Sequence, residues 1–277
     1  MPVEQDSRGI LDPVRLQQRM TLTRHPTPPA LADLIDWFWA VEWNLGPGES
    51  FHQDVLTHPG ANISVSPEAG GVVEARLYGV SRRLVERVLT GRGCAVAAKT
   101  RPGGLGPFLR TSAATYNDRS VPLADAMDVD VHRLVADVEA SPAVTDKALR
   151  LGRELTAQLE QAPAQRVAAA VEVTAVARRA ETDRALRRVD ELAAIAGVGV
   201  RTLQRMFREH AGVSPTWVLR RYRLLDAAEL VRDGQLVSWA EVADELGYAD
   251  QAHLVRDFRA AIGRTPAQYA TAMGARG

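Results

Sequence analysis

A turn-and-helix pattern that occurs twice in the last third of the chain constrains this sequence more than any other feature. It runs once over residues 189–210 and again, in different residues, over 240–260. In the first copy apolar positions follow one helical face up to Gly197, break there, and resume at Leu203, Met206 and Phe207. That spacing predicts two short helices joined by a tight turn. Ala193 is small where the helices must cross closely, Gly197 permits positive φ at the turn, and Val198 plugs the angle between them. Arg201, Gln204, Arg205 and Arg208 are left on the opposite, solvent-facing side.

In the second copy Ala243, Gly247, Leu254 and Phe258 repeat the roles of Ala193, Gly197, Leu203 and Phe207. Asp250 stands where a side-chain oxygen would cap the second helix, and Gln251, Ala252, His253, Arg256 and Arg259 follow it. Both copies close alike, with Gly212-Val213-Ser214-Pro215 and Gly263-Arg264-Thr265-Pro266. Gly ends one helix, Ser or Thr caps the next, and Pro takes its first position. Thr265 with Gln268 adds a capping box, and residues 217–230 read as a long helix between the two units.

Over about residues 163–270 this arrangement resembles the C-terminal DNA-binding domain of the AraC/XylS family of bacterial transcriptional regulators. The resemblance is most specific from Val242 through Leu246, Gly247, Tyr248, Phe258, Gly263, Thr265 and Pro266 to Tyr269. It implies that the joining helix holds two reading heads about one DNA turn apart, so that both second helices enter successive major-groove segments. On that reading Arg201, Gln204 and Arg205 address one segment, Gln251, His253 and Arg256 the next, and Arg208 and Arg259 the phosphates. The side chains suit the task independently: Arg pairs with guanine O6 and N7, Gln with adenine N6 and N7, and Ala252 and Val255 offer apolar contact to a thymine methyl. The sequence departs from the family at Gly199, where Ser is usual, which predicts a weaker cap on the first reading helix. His253 also has a plainer reading, packing against the joining helix.

The formal charge of zero conceals an asymmetry. Residues 184–277 hold 14 Arg and no Lys against 11 acidic residues, a surplus of +3 that the rest of the chain cancels. So small a surplus predicts that affinity for DNA depends on individually placed arginines rather than on bulk charge.

At 277 residues the chain leaves some 160 outside a helical DNA-binding domain. No apolar run approaches a membrane span and the first twenty residues are polar rather than signal-like, so a cytoplasmic protein is expected. Cys94 is the single cysteine, which excludes an intrachain disulfide and a cysteine zinc cluster, and its neighbours predict a strand interior.

Residues 20–125 read as short β segments punctuated by Pro and Gly, at 35–43, 50–56, 61–66, 72–80 and 94–100, with 82–89 strand or helix. The order of Pro59-Gly60-Ala61-Asn62, Gly79-Val80 and the run from Lys99 to Gly104 is similar to a poorly characterised N-terminal domain attached to some members of the regulator family. Trp37, Trp39 and Trp43 alternate onto one strand face, either filling a core or lining an apolar effector pocket. Arg76, Tyr78, Lys99 and Arg101 alternate likewise, facing an acidic effector or solvent. His25, His52 and His58 form no metal-ligand spacing, and there is no nucleophile elbow, phosphate loop or dinucleotide fingerprint. The glycine run at 103–106 is interrupted by Pro and reads as a tightly packed turn. Helical periodicity over 124–159, broken at Ser141-Pro142, predicts two helices that cover the sheet or pair with a second subunit, and Pro163 starts the next.

The expected fold is α+β. A small antiparallel β-rich domain spans 1–125, a helical linker 126–162, and an all-α DNA-binding domain with two helix-turn-helix units 163–277. The expected function is sequence-specific transcriptional regulation on double-stranded DNA, without catalysis, metal or cofactor. Two readings of the N-terminal half stay open: an unidentified small-molecule effector controls it, or it only forms a homodimer on a constitutive DNA binder. RNA polymerase is a further partner if the protein activates.

Overall fold

The structure is a computed structural model and describes residues 9–10, 13–68, 71–232 and 238–274. The polar N-terminal stretch therefore lies partly outside the described residues. A short helix α1 (Pro13–Arg19) leads into strands β1 (Met20–His25), β2 (Ile35–Asn44), β3 (Ser50–Val55), β4 (Asn62–Pro67), β5 (Val73–Tyr78), β6 (Val85–Thr90), β7 (Arg92–Thr100) and β8 (Ser120–Pro122). Helices α2 (Leu123–Ala126), α3 (Val131–Glu139), α4 (Val144–Gln161) and α5 (Ala164–Thr182) follow. The C-terminal part contains α6 (Val189–Ile195), α7 (Val200–His210), α8 (Pro215–Arg232), α9 (Trp239–Glu245), α10 (Gln251–Ile262) and α11 (Pro266–Gly274).

The predicted strands form within a residue or two of their expected ends, and the ambiguous 82–89 segment is strand β6. β1 and β8, outside the expected segments, pair with β2 and β5 at the two edges of the large sheet. The six-stranded antiparallel sheet has the order β1-β2-β7-β4-β5-β8, and β3 and β6 pair separately as a second, two-stranded sheet. One face of the large sheet presents Phe38, Ala40, Ile63, Leu77, Val96 and Ala98 to α3 and α4, through Leu134, Val138, Leu151 and Leu155. Of the two roles open to these helices, covering the sheet is therefore realised.

The tryptophans lie on the other face. Trp39, Val41 and Trp43 join Phe51 and Leu89 of the small sheet in a separate apolar cluster, and the Trp43 indole N–H donates to Thr90 O at 3.0 Å. Trp37 is set apart, with the Lys99 ammonium 3.6 Å and the Arg24 guanidinium 4.2 Å from its ring centre. Lys99 and Arg101 share Asp36, at 2.8 and 3.1 Å, while Arg76 pairs with Glu74 and Tyr78 donates to Glu68. Burial drives the Lys99 pKa down and Asp36 opposes it, so this lysine is held by an internal partner and is not open to an acidic effector. Cys94 sits half-buried in β7, where burial pushes its thiol pKa up.

The C-terminal helices do not form an isolated core. Their apolar cluster, built on Val173, Leu192, Leu203, Phe207, Val218, Leu225, Leu254 and Phe258, also takes in Leu56 and Val80 from the β-rich part. Among the described residues no helix is long and apolar enough to cross a membrane.

Candidate nucleic-acid interface

Two helix-turn-helix units are present, α6 with α7 and α9 with α10, and their turns are the same piece of backbone chemistry. Gly197 and Gly247 adopt φ of 64° and 71°. Gly197 N–H donates to Ala194 O and Val198 N–H to Ala193 O, both at 3.1 Å; Gly247 N–H donates to Asp244 O at 2.9 Å and Tyr248 N–H to Ala243 O at 2.7 Å. Each turn thus satisfies the last carbonyls of the first helix with a left-handed residue that only Gly adopts cheaply. Ala193 and Ala243 are buried at the crossing points, and Leu203 with Phe207 and Leu254 with Phe258 are wholly buried.

The two reading helices start differently. At α10 the Asp250 carboxylate accepts from His253 N–H at 2.6 Å. At α7 the N-cap is Gly199, with no side-chain hydrogen bond. Asp250→Ala is expected to destabilise the second unit by about 0.5–2 kcal/mol, read as a local rise in amide exchange over α10. The closing motifs are also built as anticipated: Ser214 Oγ accepts from Trp217 N–H at 3.2 Å. Thr265 and Gln268 exchange side-chain bonds with each other's N–H at 3.2 and 2.9 Å.

Arg201, Gln204, Arg205 and Arg208 lie exposed on one side of α7, and Gln251, Ala252, Arg256 and Arg259 are exposed on α10. Among the described residues the five arginines of α7 and α10, Arg201, Arg205, Arg208, Arg256 and Arg259, carry no carboxylate partner, unlike Arg82, Arg133, Arg179 and Arg184, which do. His253 is different. Its ring meets Tyr248 edge-on at 5.2 Å and its Nε2 lies 3.8 Å from Asp257, so it is half-withdrawn into its own unit.

Arg221, in the middle of α8, had no role assigned from the sequence, and it is only 2 % exposed. It donates to Ser81 O at 3.2 Å and its guanidinium stands 4.7 Å from the Trp217 ring centre. Burial pulls its pKa down to about 10, with Asp118 acting the other way. Its place between Val218, Tyr222 and Leu225 on the apolar stripe of the helix is the signal that could have found it. It fastens the joining helix to the loop after β5.

Residues 192–272 match the family described as a helix-turn-helix domain, and residues 23–122 match a domain of unknown function, DUF6597. An uncharacterised helix-turn-helix-type transcriptional regulator of Haemophilus influenzae is 33% identical over 81 residues, covering 29% of this chain and 27% of that protein. The chain thus aligns with about a quarter of that relative's length. Among solved structures, the C-terminal domain of AraT, a response regulator from Geobacillus stearothermophilus, is 25% identical, with a TM-score of 0.35 over 36% of this chain and 84% of that one. ToxT from Vibrio cholerae is 11% identical, with a TM-score of 0.37 over 92% of this chain and 97% of that one. By fold and by sequence match, the C-terminal part is a tandem helix-turn-helix domain. The C-terminal part thus matches the helix-turn-helix domain family, and residues 23–122 match a domain of unknown function.

Proposed function

We propose that this chain is a sequence-specific, DNA-binding transcriptional regulator that works inside the cell without catalysis, its units being a β-rich domain over 1–125, linking helices over 126–162 and the DNA-binding domain over 163–277. The observation that carries the reading is the pair of exposed arginine faces on α7 and α10, without a carboxylate partner among the described residues, on helices whose opposite sides are buried. Unneutralised guanidinium groups in that setting suit phosphates and guanine edges. Arg201, Gln204 and Arg205 read one groove segment; Gln251, Ala252 and Arg256 read the next, with His253 a lesser contributor because of its internal contacts; Arg208 and Arg259 anchor phosphates.

Selection of duplexes from a randomised pool by the full chain tests this. The expected result is two short sequence blocks about 10 base pairs apart, bound with an affinity that falls steeply as salt rises. Failure to enrich any sequence, or affinity indifferent to salt, overturns it.

For the N-terminal domain, control by a small polar effector is favoured over simple dimerisation by the inner faces of its two sheets. Ser64 Oγ and Gln53 Oε1 are buried there, at 2 % and 5 % residue exposure, without a hydrogen-bond partner among the described residues. Buried polar atoms are normally satisfied, and two in one β-domain interior suit a polar guest. A thermal-shift screen of the full chain separates the alternatives: a stabilising small molecule supports control, and concentration-dependent dimerisation with no such molecule supports the other. RNA polymerase is a further partner if the protein activates.

A further inference from the structure

The two reading helices are held by different parts of the molecule. The C-terminal end of α7 is built into the N-terminal domain. Ser112 Oγ donates to Arg208 O at 3.1 Å, and Asn117 Nδ2 donates to Gly212 O at 2.5 Å. Arg166, in the first turn of α5, donates through Nε to Gly106 O at 2.8 Å and through Nη2 to Thr111 O at 3.0 Å, and pairs with Glu209 of α7 at 3.4 Å. His210 is 6 % exposed and its ring lies flush against Gly106; a Cβ at Gly106 would stand 2.2 Å from its Nδ1. The principal packing partners of α10, by contrast, are α8, α9 and α11.

The glycine run that suggested only a tight turn therefore has a task. Gly103, at φ 98°, lies against Val173 of α5, where a Cβ would come within 2.5 Å, and Gly106 lies against α7. Close-packed contacts of this kind do not deform gradually, because neither backbone nor ring has room to give. A shift of the loop after β7 must move α5 and α7 with it.

We propose that Arg166, Gly106 and His210 are positioning residues for the first reading helix, through which the N-terminal domain sets the angle of α7, while α10 reads independently of them. The proposal rests on α7 and α10 being the DNA-reading helices. Burial lowers the His210 pKa, with Glu209 opposing and Arg166 reinforcing. A shift of the loop after β7 then reaches DNA first through the first unit, as a change in one half-site.

The test uses the full chain, a duplex enriched from a randomised pool, and two derivatives of it with one or the other sequence block scrambled. Gly106→Ala forces the His210 ring aside and is expected to lower the contribution of the α7 block by roughly 5- to 150-fold, the range of an ordinary coupling between sites, with the α10 block unaffected. His210→Ala in the same chain removes the obstructing ring, leaves α7 held by Arg166, Ser112 and Asn117, and is expected to recover part of that contribution. Equal loss at both blocks, no loss, or no recovery in the double variant overturns the proposal. A readout that needs no DNA accompanies it: Arg166→Met is expected to raise amide exchange over residues 207–212 and leave α10 unchanged, and unchanged exchange at 207–212 overturns the coupling. An empty selection would instead count against DNA reading, with the exchange result still deciding the coupling.

Discussion

Replacing Phe207 by alanine is expected to lower the unfolding free energy of the C-terminal part by about 3–5 kcal/mol, the range for deleting a buried aromatic ring. The ring is wholly buried, in the cluster that joins Val173, Leu192, Leu203, Val218 and Leu225. α7 is otherwise strongly polar, so Leu203 and Phe207 are the two wholly buried side chains that hold its inner side. The helix cannot slide to refill the space, because Ser112 and Asn117 hold its far end. Guanidinium titration followed by tryptophan fluorescence measures the loss. Phe258→Ala, at the corresponding place in the second unit, is expected to cost a similar amount. A loss below about 1 kcal/mol for Phe207→Ala would show that the site collapses around the deletion, contrary to the packing described.

The second large effect is on DNA. Arg205→Ala is expected to weaken binding to the selected duplex by about 1–3 kcal/mol and to relax base preference at one position, since a side chain near the middle of the exposed face meets base edges. Arg208→Ala, one turn on and beside the contact with Ser112, is expected to weaken all sequences alike and to reduce the salt slope by about one. Binding isotherms for the selected and a scrambled duplex at several salt concentrations separate the two. Identical behaviour of both variants would show that reader and anchor have been wrongly assigned. The small net charge of the C-terminal part makes this experiment sharp, because there is little bulk attraction to mask the loss of one arginine.

The helix-turn-helix units were legible because each of their rules is local. Gly197 and Gly247 announce left-handed turns, Asp250 and Thr265 announce caps, and Leu203, Phe207, Leu254 and Phe258 announce buried faces, all within four residues of their partners. The β-rich part was legible at β2, β3, β4, β5 and β7, as short segments punctuated by Pro and Gly, and not at β1 or β8, which pair along the edges beside β2 and β5. The tryptophans show the same limit. Alternation placed Trp37, Trp39 and Trp43 on a common face, yet nothing in it distinguished the inner cluster of Trp39 and Trp43 from the cation-flanked position of Trp37.

Arg166, Gly106 and His210 were silent in the sequence as functional residues, and the apolar stripe of α8 marked Arg221 as inward-facing without giving its partner. Arg166 meets Gly106 across 60 positions, and Arg221 meets Ser81 across 140. Contacts at such separations leave no periodicity behind, because they depend on where two finished elements come to rest. By itself the sequence determined which segments turn, cap and bury, and hence that two arginine-faced helices would stand ready for DNA. Only the tertiary structure decided that one of them is clamped by the N-terminal domain and the other is not, because that difference lies in which surfaces meet after the local structure has formed.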